Sequence, residues 1–310
     1  MTSHQIIRLP HRKSNLTTSF LRGRNRLTAK GYERDLEDFS AFMNAADIEG
    51  AAQILMASGP GEANGLSRDY KAELIGRGLS PATVNRRLST LRALVKVART
   101  LGLVTWGLEV ENVRAVSYRD TRGPGLHGYR ALLDAAGKID GAKGARDVAL
   151  LHLLFDLGLR RGEVVSLDMV DLDLTAGTLS ILGKGRTQKE SLTIPVETKK
   201  LLTEWLRIRG NDHGPLFTNL DPGHKERTRL TGDGLYKLVR YLGKLAGIRT
   251  RPHGIRHAAI TEALDLTRGD LRAVARFSRH KKIDTLVIYD DHRADLAGKV
   301  AQMVATSASL

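Results

Sequence analysis

The sequence predicts a mainly α-helical protein of two domains, with one small antiparallel β-sheet in the second domain. Three observations predict this fold class. Apolar residues recur at helical spacing through most of the chain, beginning with the run from Thr28 to Met43. The helical pattern is lost between Glu111 and Gly125, where glycine, proline and arginine replace it. Only Thr178–Leu182 and Ser191–Ile194 have the composition of strands, and turn residues bound both.

These patterns place each element and each domain boundary. The predicted helices are residues 28–43, 48–56, 62–75, 80–100, 126–136, 145–157, 196–209, 234–246, 253–266, 270–277 and 294–304. Gly59-Pro60-Gly61 is predicted to break the chain between the second and third helices, and Ser80-Pro81 to begin the fourth. The expected organisation is a basic tail (1–15), a helical domain (16–110), a linker (111–125) and a second domain (126–310).

Composition narrows the class of partner. The chain of 310 residues carries a formal net charge of +15, which favours nucleic acid as the partner over an anionic membrane surface. Aromatic residues make up only 5%, which favours double-stranded DNA over single strands that stack on aromatic side chains. The absence of cysteine, of a membrane-length apolar run and of a signal-peptide pattern predicts a soluble, cytoplasmic protein.

The region from Arg8 to Lys30 contains seven Lys or Arg residues and no acidic residue. A disordered basic tail and an arm that lies along the DNA backbone both fit this composition, and both interpretations stay open.

The helix from Ser80 to Thr100 carries a polar and basic stripe beside its apolar stripe. No Asp or Glu occurs in this helix, whereas ordinary solvated faces mix both signs of charge. We therefore favour a helix that faces a DNA groove over one that merely faces solvent. The stripe consists of Asn85, Ser89, Arg92, Lys96 and Arg99.

A second cluster of functional residue types lies near the C-terminus. His253 and Arg256 are three residues apart on a predicted helix, so an imidazole and a guanidinium share a face that could bind one anion. His257 is predicted to lie off that face. His280 follows a short amphipathic helix, and Tyr289 comes nine residues later.

Other site classes fit the sequence poorly. Gly183-Lys184 lacks the earlier glycine and the following Ser or Thr of an ATP-binding phosphate loop. His253 and His257 have the spacing of a zinc helix, but Gly254 stands where metalloproteases carry glutamate. No Gly-x-Ser-x-Gly nucleophile elbow occurs.

The C-terminal motifs resemble those of the tyrosine recombinases, the phage-integrase-type or Xer/Cre-like site-specific recombinases. His253-Gly254-Ile255-Arg256-His257 resembles the second family box, and Gly158-Leu159-Arg160-Arg161-Gly162-Glu163 resembles the first. Gly183-Lys184-Gly185 resembles the β-hairpin segment that carries the family's lysine. One departure is Arg279, because the family usually has glycine immediately before the histidine that matches His280.

The resemblance implies a DNA clamp, formed by a helical core-binding domain and a catalytic domain that breaks and rejoins DNA. It implies the catalytic set Arg160, Lys184, His253, Arg256, His280 and Tyr289. Tyr289 is the implied nucleophile, and Glu163 is expected to support Arg160 without touching DNA. The implied reaction forms a 3′-phosphotyrosine and a Holliday junction within a homo-tetramer on a specific duplex site, with no metal, ATP or other cofactor.

Two further residues are expected to contact DNA. Arg186 is predicted to lie near the tip of the β-hairpin, and Arg279 is predicted to add a phosphate contact beside His280. Two other functions stay open: a type IB-like topoisomerase, which shares similar chemistry, and a non-catalytic DNA-binding accessory protein. The sequence does not define the target site or distinguish integration, excision, dimer resolution and transposon movement.

Overall fold

The computed structural model describes residues 15–114, 123–183, 186–221, 228–280, 283, 286–287 and 296–307. The chain divides into two compact units, the N-terminal unit Met1–Tyr118 and the C-terminal unit Arg119–Leu310. Each unit has its own hydrophobic core.

The described part of the N-terminal unit is a bundle of helices. In chain order they are α1 (Leu16–Leu21), α2 (Arg26–Phe42), α3 (Ile48–Ala57), α4 (Gly59–Gly76) and α5 (Pro81–Thr100). Helix α5 begins where Ser80-Pro81 predicts, and the Ser80 hydroxyl accepts a hydrogen bond from the Thr83 N–H. Its buried stripe includes Val84, Leu88 and Leu91.

Helix α1 is a helix within the basic stretch that the sequence analysis did not predict. Phe20 is buried, and Arg24 stacks on the rings of Phe20 and Tyr32 at 4.6 Å from each centroid. The first helical N–H groups are capped from outside, because the Glu49 carboxylate accepts from Leu16 N (3.1 Å) and Thr17 N (2.9 Å). Part of this basic stretch therefore stabilises the fold, while residues 1–14 lie outside the described residues.

The start of α4 also differs from the prediction. Gly59-Pro60-Gly61 does not form a loop but begins the helix, because Pro60 lies in its first turn, where no N–H partner is lost.

The Asp38 carboxylate joins α2 to α4 and α5. It accepts from Tyr70 Oη (2.8 Å), Arg77 (2.9 Å) and Arg87 (2.6 Å).

The C-terminal unit is also mainly helical. Its helices are α6 (Gly125–Gly137), α7 (Gly141–Phe155), α8 (Arg161–Ser166), α9 (Val196–Arg209), α10 (Gly232–Leu245), α11 (Pro252–Leu266), α12 (Leu271–Ser278) and α13 (Leu296–Ser307). Helix α8 is absent from the sequence prediction, since its six residues are too short to show a helical period. No helix in the described residues is both long and apolar enough to cross a membrane.

A three-stranded antiparallel sheet lies beside the helices in the order β1 (Leu172–Asp173), β2 (Thr178–Ile181) and β3 (Glu190–Thr193). The predicted hairpin corresponds to β2 and β3, with Leu179 opposite Leu192. Alternate β2 residues, Leu179 and Ile181, are buried against the core. Lys184, which the sequence analysis placed in the turn between these strands, lies outside the described residues.

Candidate active site

Arg160 lies at the turn between α7 and α8. Gly158 enters this turn with φ +51°, and a Cβ there would lie only 3.2 Å from the Phe277 ring, so both backbone conformation and space favour glycine. The Glu163 carboxylate accepts from Arg160 N (2.8 Å) and from Arg160 Nη1 (2.7 Å). Glu163 thus holds both the backbone and the guanidinium of Arg160, and the Arg160 side chain keeps 29% of its surface exposed.

Arg256 and His253 lie in the first turns of α11, which Pro252 begins. His253 is exposed, whereas Arg256 is only 1% exposed. Arg256 Nη1 donates to the Gly158 carbonyl, and Nη2 donates to the Ser278 carbonyl. Arg256 therefore connects the turn that carries Arg160 to the end of α12.

His257 contacts His253, although the sequence analysis set it apart. The two ring centroids are 4.1 Å apart and the planes meet at 63°. The spacing of four residues along a helix was the signal for this contact. The pKa of His257 falls to about 3 because of burial first and the charges of His253, Arg251 and Arg256 next, so this ring is neutral at pH 7.

His280 follows α12 and is held by Ser278. The Ser278 hydroxyl donates to the Val274 carbonyl (2.6 Å) and so accepts from Nδ1–H of His280 (2.7 Å). This network assigns the proton of neutral His280 to Nδ1 and leaves Nε2 as an acceptor. Ser278 was not among the predicted site residues, and no local sequence pattern marks it.

The pKa of His280 shows how closely the site residues gather. It falls to about 4, first through burial and then through nearby positive charge. The charged neighbours, in decreasing order of effect, are Arg256, Arg160, His253 and Arg279. Hydrogen bonds agree with this, since Arg160 donates to the Arg279 carbonyl and Arg256 donates to the Ser278 carbonyl. Four of the six predicted catalytic residues therefore converge in the C-terminal unit. Lys184 and Tyr289, the other two, lie outside the described residues.

The burial of Arg279 argues against the predicted DNA contact. Arg279 is only 8% exposed. Both terminal nitrogens of its guanidinium donate to protein groups, while the buried Nε has no hydrogen-bond partner in the described residues. Nη1 donates to the carbonyls of Leu157 and Phe277 (3.0 Å each), while Nη2 donates to the Gly158 carbonyl (2.9 Å) and to Glu163 (3.3 Å). Arg279 is thus a buried part of the site. The other residue predicted beside the hairpin, Arg186, is exposed and pairs with Glu190 at 3.2 Å.

The stripe predicted on α5 divides into two groups. The side-chain amide of Asn85 exchanges two hydrogen bonds with the Val113 backbone, and Arg92 donates to Val110 O and Asn112 Oδ1. Asn85 and Arg92 therefore hold the segment that follows α5, which corrects their assignment to a DNA-facing stripe. Ser89, Lys96 and Arg99 are exposed and stay candidates for DNA contact.

In the described residues, no group of three or more His, Asp or Glu side chains is arranged to hold a metal ion. The arrangement that is present consists of two guanidinium groups and imidazoles, brought together by three separate chain segments, 157–160, 253–257 and 278–280. Such a site suits an anion with several oxygens, because guanidinium groups donate paired hydrogen bonds to such anions.

Comparisons with known proteins agree with this architecture. Residues 127–295 match the Phage integrase family, and residues 19–101 match the N-terminal SAM-like domain of phage integrases. The chain is 37% identical over 289 residues to a tyrosine recombinase of Synechocystis sp., with 90% of each chain covered. It is 40% identical over 285 residues to a tyrosine recombinase of Synechococcus elongatus, which covers 90% of this chain and 88% of that relative.

A solved structure has the same fold. The XerH site-specific recombinase, bound to its palindromic difH substrate in a post-cleavage complex, superposes with a TM-score of 0.66 at 21% identity. The match covers 90% of this chain and 80% of that chain, and it confirms the predicted fold class. With the family match extending over residues 127–295 and both bacterial relatives above 30% identity, this chain belongs to the phage integrase family of tyrosine recombinases.

Proposed function

We propose that the protein is a site-specific recombinase that cuts and rejoins duplex DNA, with Tyr289 as the nucleophile. The observation that carries this proposal is the convergence of Arg160, Arg256, His253 and His280 in one unit of a chain that belongs to the tyrosine recombinases. Positive groups held in place before the reaction are what attack on a phosphodiester needs, since the transition state gains negative charge on the phosphate oxygens.

The two arginines supply this stabilisation in different ways. Arg160 is partly exposed and can donate to a phosphate oxygen directly. Arg256 is buried and acts in a low-dielectric surrounding, where its charge is screened less. Direct contact between Arg256 and a phosphate requires a local rearrangement when DNA binds.

The proton transfers balance without any further reactant. The Tyr289 oxygen attacks phosphorus, and its phenolic proton passes to His253, which is exposed at the start of α11. The bond from phosphorus to the 5′ oxygen breaks, and Lys184 protonates that oxygen. The products are a 3′-phosphotyrosyl bond and a free 5′-hydroxyl, and attack by a 5′-hydroxyl from the partner duplex reverses the step. Because the phosphotyrosyl bond conserves the energy of the broken bond, the reaction needs no ATP.

The partner in this proposal is double-stranded DNA that contains a recombination site, held by a homo-tetramer. The N-terminal unit acts as the core-binding domain, and the exposed Ser89, Lys96 and Arg99 on α5 contribute phosphate or base contacts. We also propose the domain bounds predicted from the sequence, with a tail at 1–15, a core-binding domain at 16–110, a linker at 111–125 and a catalytic domain at 126–310.

The test of the proposal is covalent capture from the producing cells. The protein is purified under denaturing conditions and any DNA that stays attached is sequenced, for wild type and for Tyr289→Phe. Tyr241→Phe is the matched control, since Tyr241 is an exposed tyrosine on α10. Attachment of one short sequence in wild type and Tyr241→Phe, but not in Tyr289→Phe, supports the proposal. Scattered attachment indicates a topoisomerase, and attachment that survives in Tyr289→Phe rules out Tyr289 as the nucleophile.

We expect DNA binding to raise the pKa of His280 from its free value of about 4. Neutral His280 presents Nε2 as an acceptor, so it must take up a proton before it can donate to a phosphate, and the phosphate charge favours that uptake. DNA affinity should therefore increase as pH falls from 7 towards that value. Calorimetry at pH 5 to 6 in buffers of different ionisation enthalpy measures the uptake. His280→Gln should abolish it and His257→Gln should keep it; the reverse pattern contradicts the assignment.

A further inference from the structure

Arg279 occupies a backbone conformation that normally favours glycine. It caps α12 with φ +56° and ψ 39°, in the left-handed region where a Cβ is unfavourable. In the family motif that this segment resembles, glycine usually stands at this position. An arginine here is unfavourable for the backbone, so the contacts of its side chain should offset that effect.

Those contacts join two segments that carry site residues. The Arg279 guanidinium donates to the carbonyls of Leu157 and Gly158 in the turn before Arg160 and to the Phe277 carbonyl at the end of α12. In the opposite direction, Arg160 Nη2 donates to the Arg279 carbonyl at 3.2 Å. Side chain and backbone of Arg279 thus both connect the turn at 157–160 to the segment 277–280.

Glu163 provides the counter-charge that this buried guanidinium needs. Its carboxylate lies between Arg279 Nη2 at 3.3 Å and Arg160 Nη1 at 2.7 Å. Both Arg279 and Glu163 have side chains that are less than 5% exposed, so the pair is shielded from solvent. The charge of Arg279 helps keep Glu163 ionised, and an ionised Glu163 orients the Arg160 side chain.

We infer that Arg279 is a positioning residue of the active site. Its buried guanidinium fixes Glu163 and the turn at 157–160, and thereby holds Arg160 and His280 in their places. It does not itself contact DNA. This inference rests on the proposed function for the reaction that Arg160 and His280 perform, but the arrangement of the side chains can be tested without DNA.

The chain offers a closely matched control. Arg268 follows α11 and has φ +54°, so it is also an arginine in the left-handed region at the end of a helix. Unlike Arg279, Arg268 is exposed. Arg279→Gly and Arg268→Gly therefore make the same change in the same backbone conformation, and only the first removes a buried guanidinium. Arg279→Lys is the conservative variant, which restores the charge but not the fork of donors.

Two measurements separate positioning from simple structural support. The first is the cleavage rate at saturating DNA, on a nicked duplex of the captured sequence that releases a short strand and cannot reseal. The second is the pKa of His280 in the free protein, from an NMR titration of the imidazole. Thermal unfolding shows whether each variant folds. If Arg279→Gly does not fold, the same two measurements on Arg279→Lys test the inference instead.

For Arg279→Gly we expect cleavage that is roughly 10- to 100-fold slower with unchanged DNA affinity, since small displacements of a catalytic group have effects of this size. The pKa of His280 should rise, because one neighbouring positive charge is lost. Arg279→Lys should recover part of both properties, and Arg268→Gly should match wild type. Unchanged cleavage and an unchanged His280 pKa would overturn the inference. So would a loss of DNA affinity with normal cleavage of bound DNA, which indicates a phosphate contact. If wild type captures no DNA, the proposed function fails, and the His280 titration alone decides whether Arg279 positions the site.

Discussion

Arg256→Ala should slow cleavage of bound DNA by roughly 10²- to 10³-fold, the loss expected when a positive group that stabilises the transition state is removed. It should also destabilise the C-terminal unit by about 3 kcal/mol, because it removes a buried, hydrogen-bonded side chain and takes the arginine donor from the Ser278 carbonyl, whereas the Gly158 carbonyl keeps its bond from Arg279. These are two separate effects of a single side chain. The first concerns the charge of Arg256, and the second concerns the bonds that Arg256 makes to the carbonyls of Gly158 and Ser278.

The conservative variant distinguishes the two effects. Arg256→Lys keeps a positive charge and can reach one carbonyl, so we expect most of the stability to return while cleavage stays slow, because lysine cannot donate as a planar fork. Arg207→Ala, which removes an exposed arginine from α9, is the control for the loss of one charge from the protein. Urea unfolding and single-turnover cleavage measure the two properties. A variant Arg256→Ala that cleaves at the wild-type rate would show that the charge of Arg256 does not act on the reacting phosphate.

Long helices are the part of this fold that the sequence predicts best. Helix α9 extends from Val196 to Arg209, with the same ends as its prediction, and α11 differs by one residue. Apolar residues recur at helical spacing in α9, whereas α11 is buried over the consecutive residues 254–260, and Pro195 and Pro252 mark the starts of the two helices.

Short elements escape prediction because distant residues stabilise them. Helix α1 has six residues, and the carboxylate that caps it belongs to Glu49, more than thirty positions away. Helix α8 is equally short, and Glu163 within it forms bonds to Arg160 before the helix and to Arg279 far beyond it. A local pattern contains neither of these partners.

The same distinction holds within the candidate site. Arg160, His253, Arg256 and His280 can be chosen as candidate site residues from motifs, because a motif is defined by spacing along the chain, which the sequence shows directly. The burial of Arg279 does not follow, since it depends on the turn at 157–160, more than one hundred residues earlier. Asn85 and Arg92 show what helical spacing on α5 does not predict. Helical spacing predicts which residues share a face, but a later segment of the chain decides whether that face meets solvent.

Glu163→Ala should destabilise the C-terminal unit by about 3–5 kcal/mol, because it leaves the buried guanidinium of Arg279 without its counter-ion. Burial by itself raises the pKa of Glu163. Hydrogen bonds from the backbone and side chain of Arg160, together with the charges of Arg279 and Arg160, outweigh burial and hold the pKa below its ordinary value. The folded protein therefore keeps this carboxylate ionised.

The lowered pKa of Glu163 also predicts how stability depends on pH. Because the folded pKa lies below the unfolded value of about 4.3, the ionised carboxylate stabilises the fold fully above that pH. This contribution is lost as the pH falls through the folded pKa, where the carboxylate takes up a proton. Glu163→Gln keeps the shape of the side chain without the charge, so its stability should fall less steeply than that of wild type below about pH 4.

A double variant tests whether the destabilisation comes from the isolated charge. In Glu163→Ala combined with Arg279→Gly, the unpaired guanidinium is gone and the backbone gains a residue suited to its left-handed conformation. We expect the double variant to be more stable than Glu163→Ala alone, as measured by urea unfolding at pH 7. If the two losses simply add, Glu163 and Arg279 do not interact energetically, and the loss in Glu163→Ala must come from its bonds to Arg160. Recovery of stability without recovery of cleavage would separate what Arg279 does for the fold from what it does for the position of Arg160.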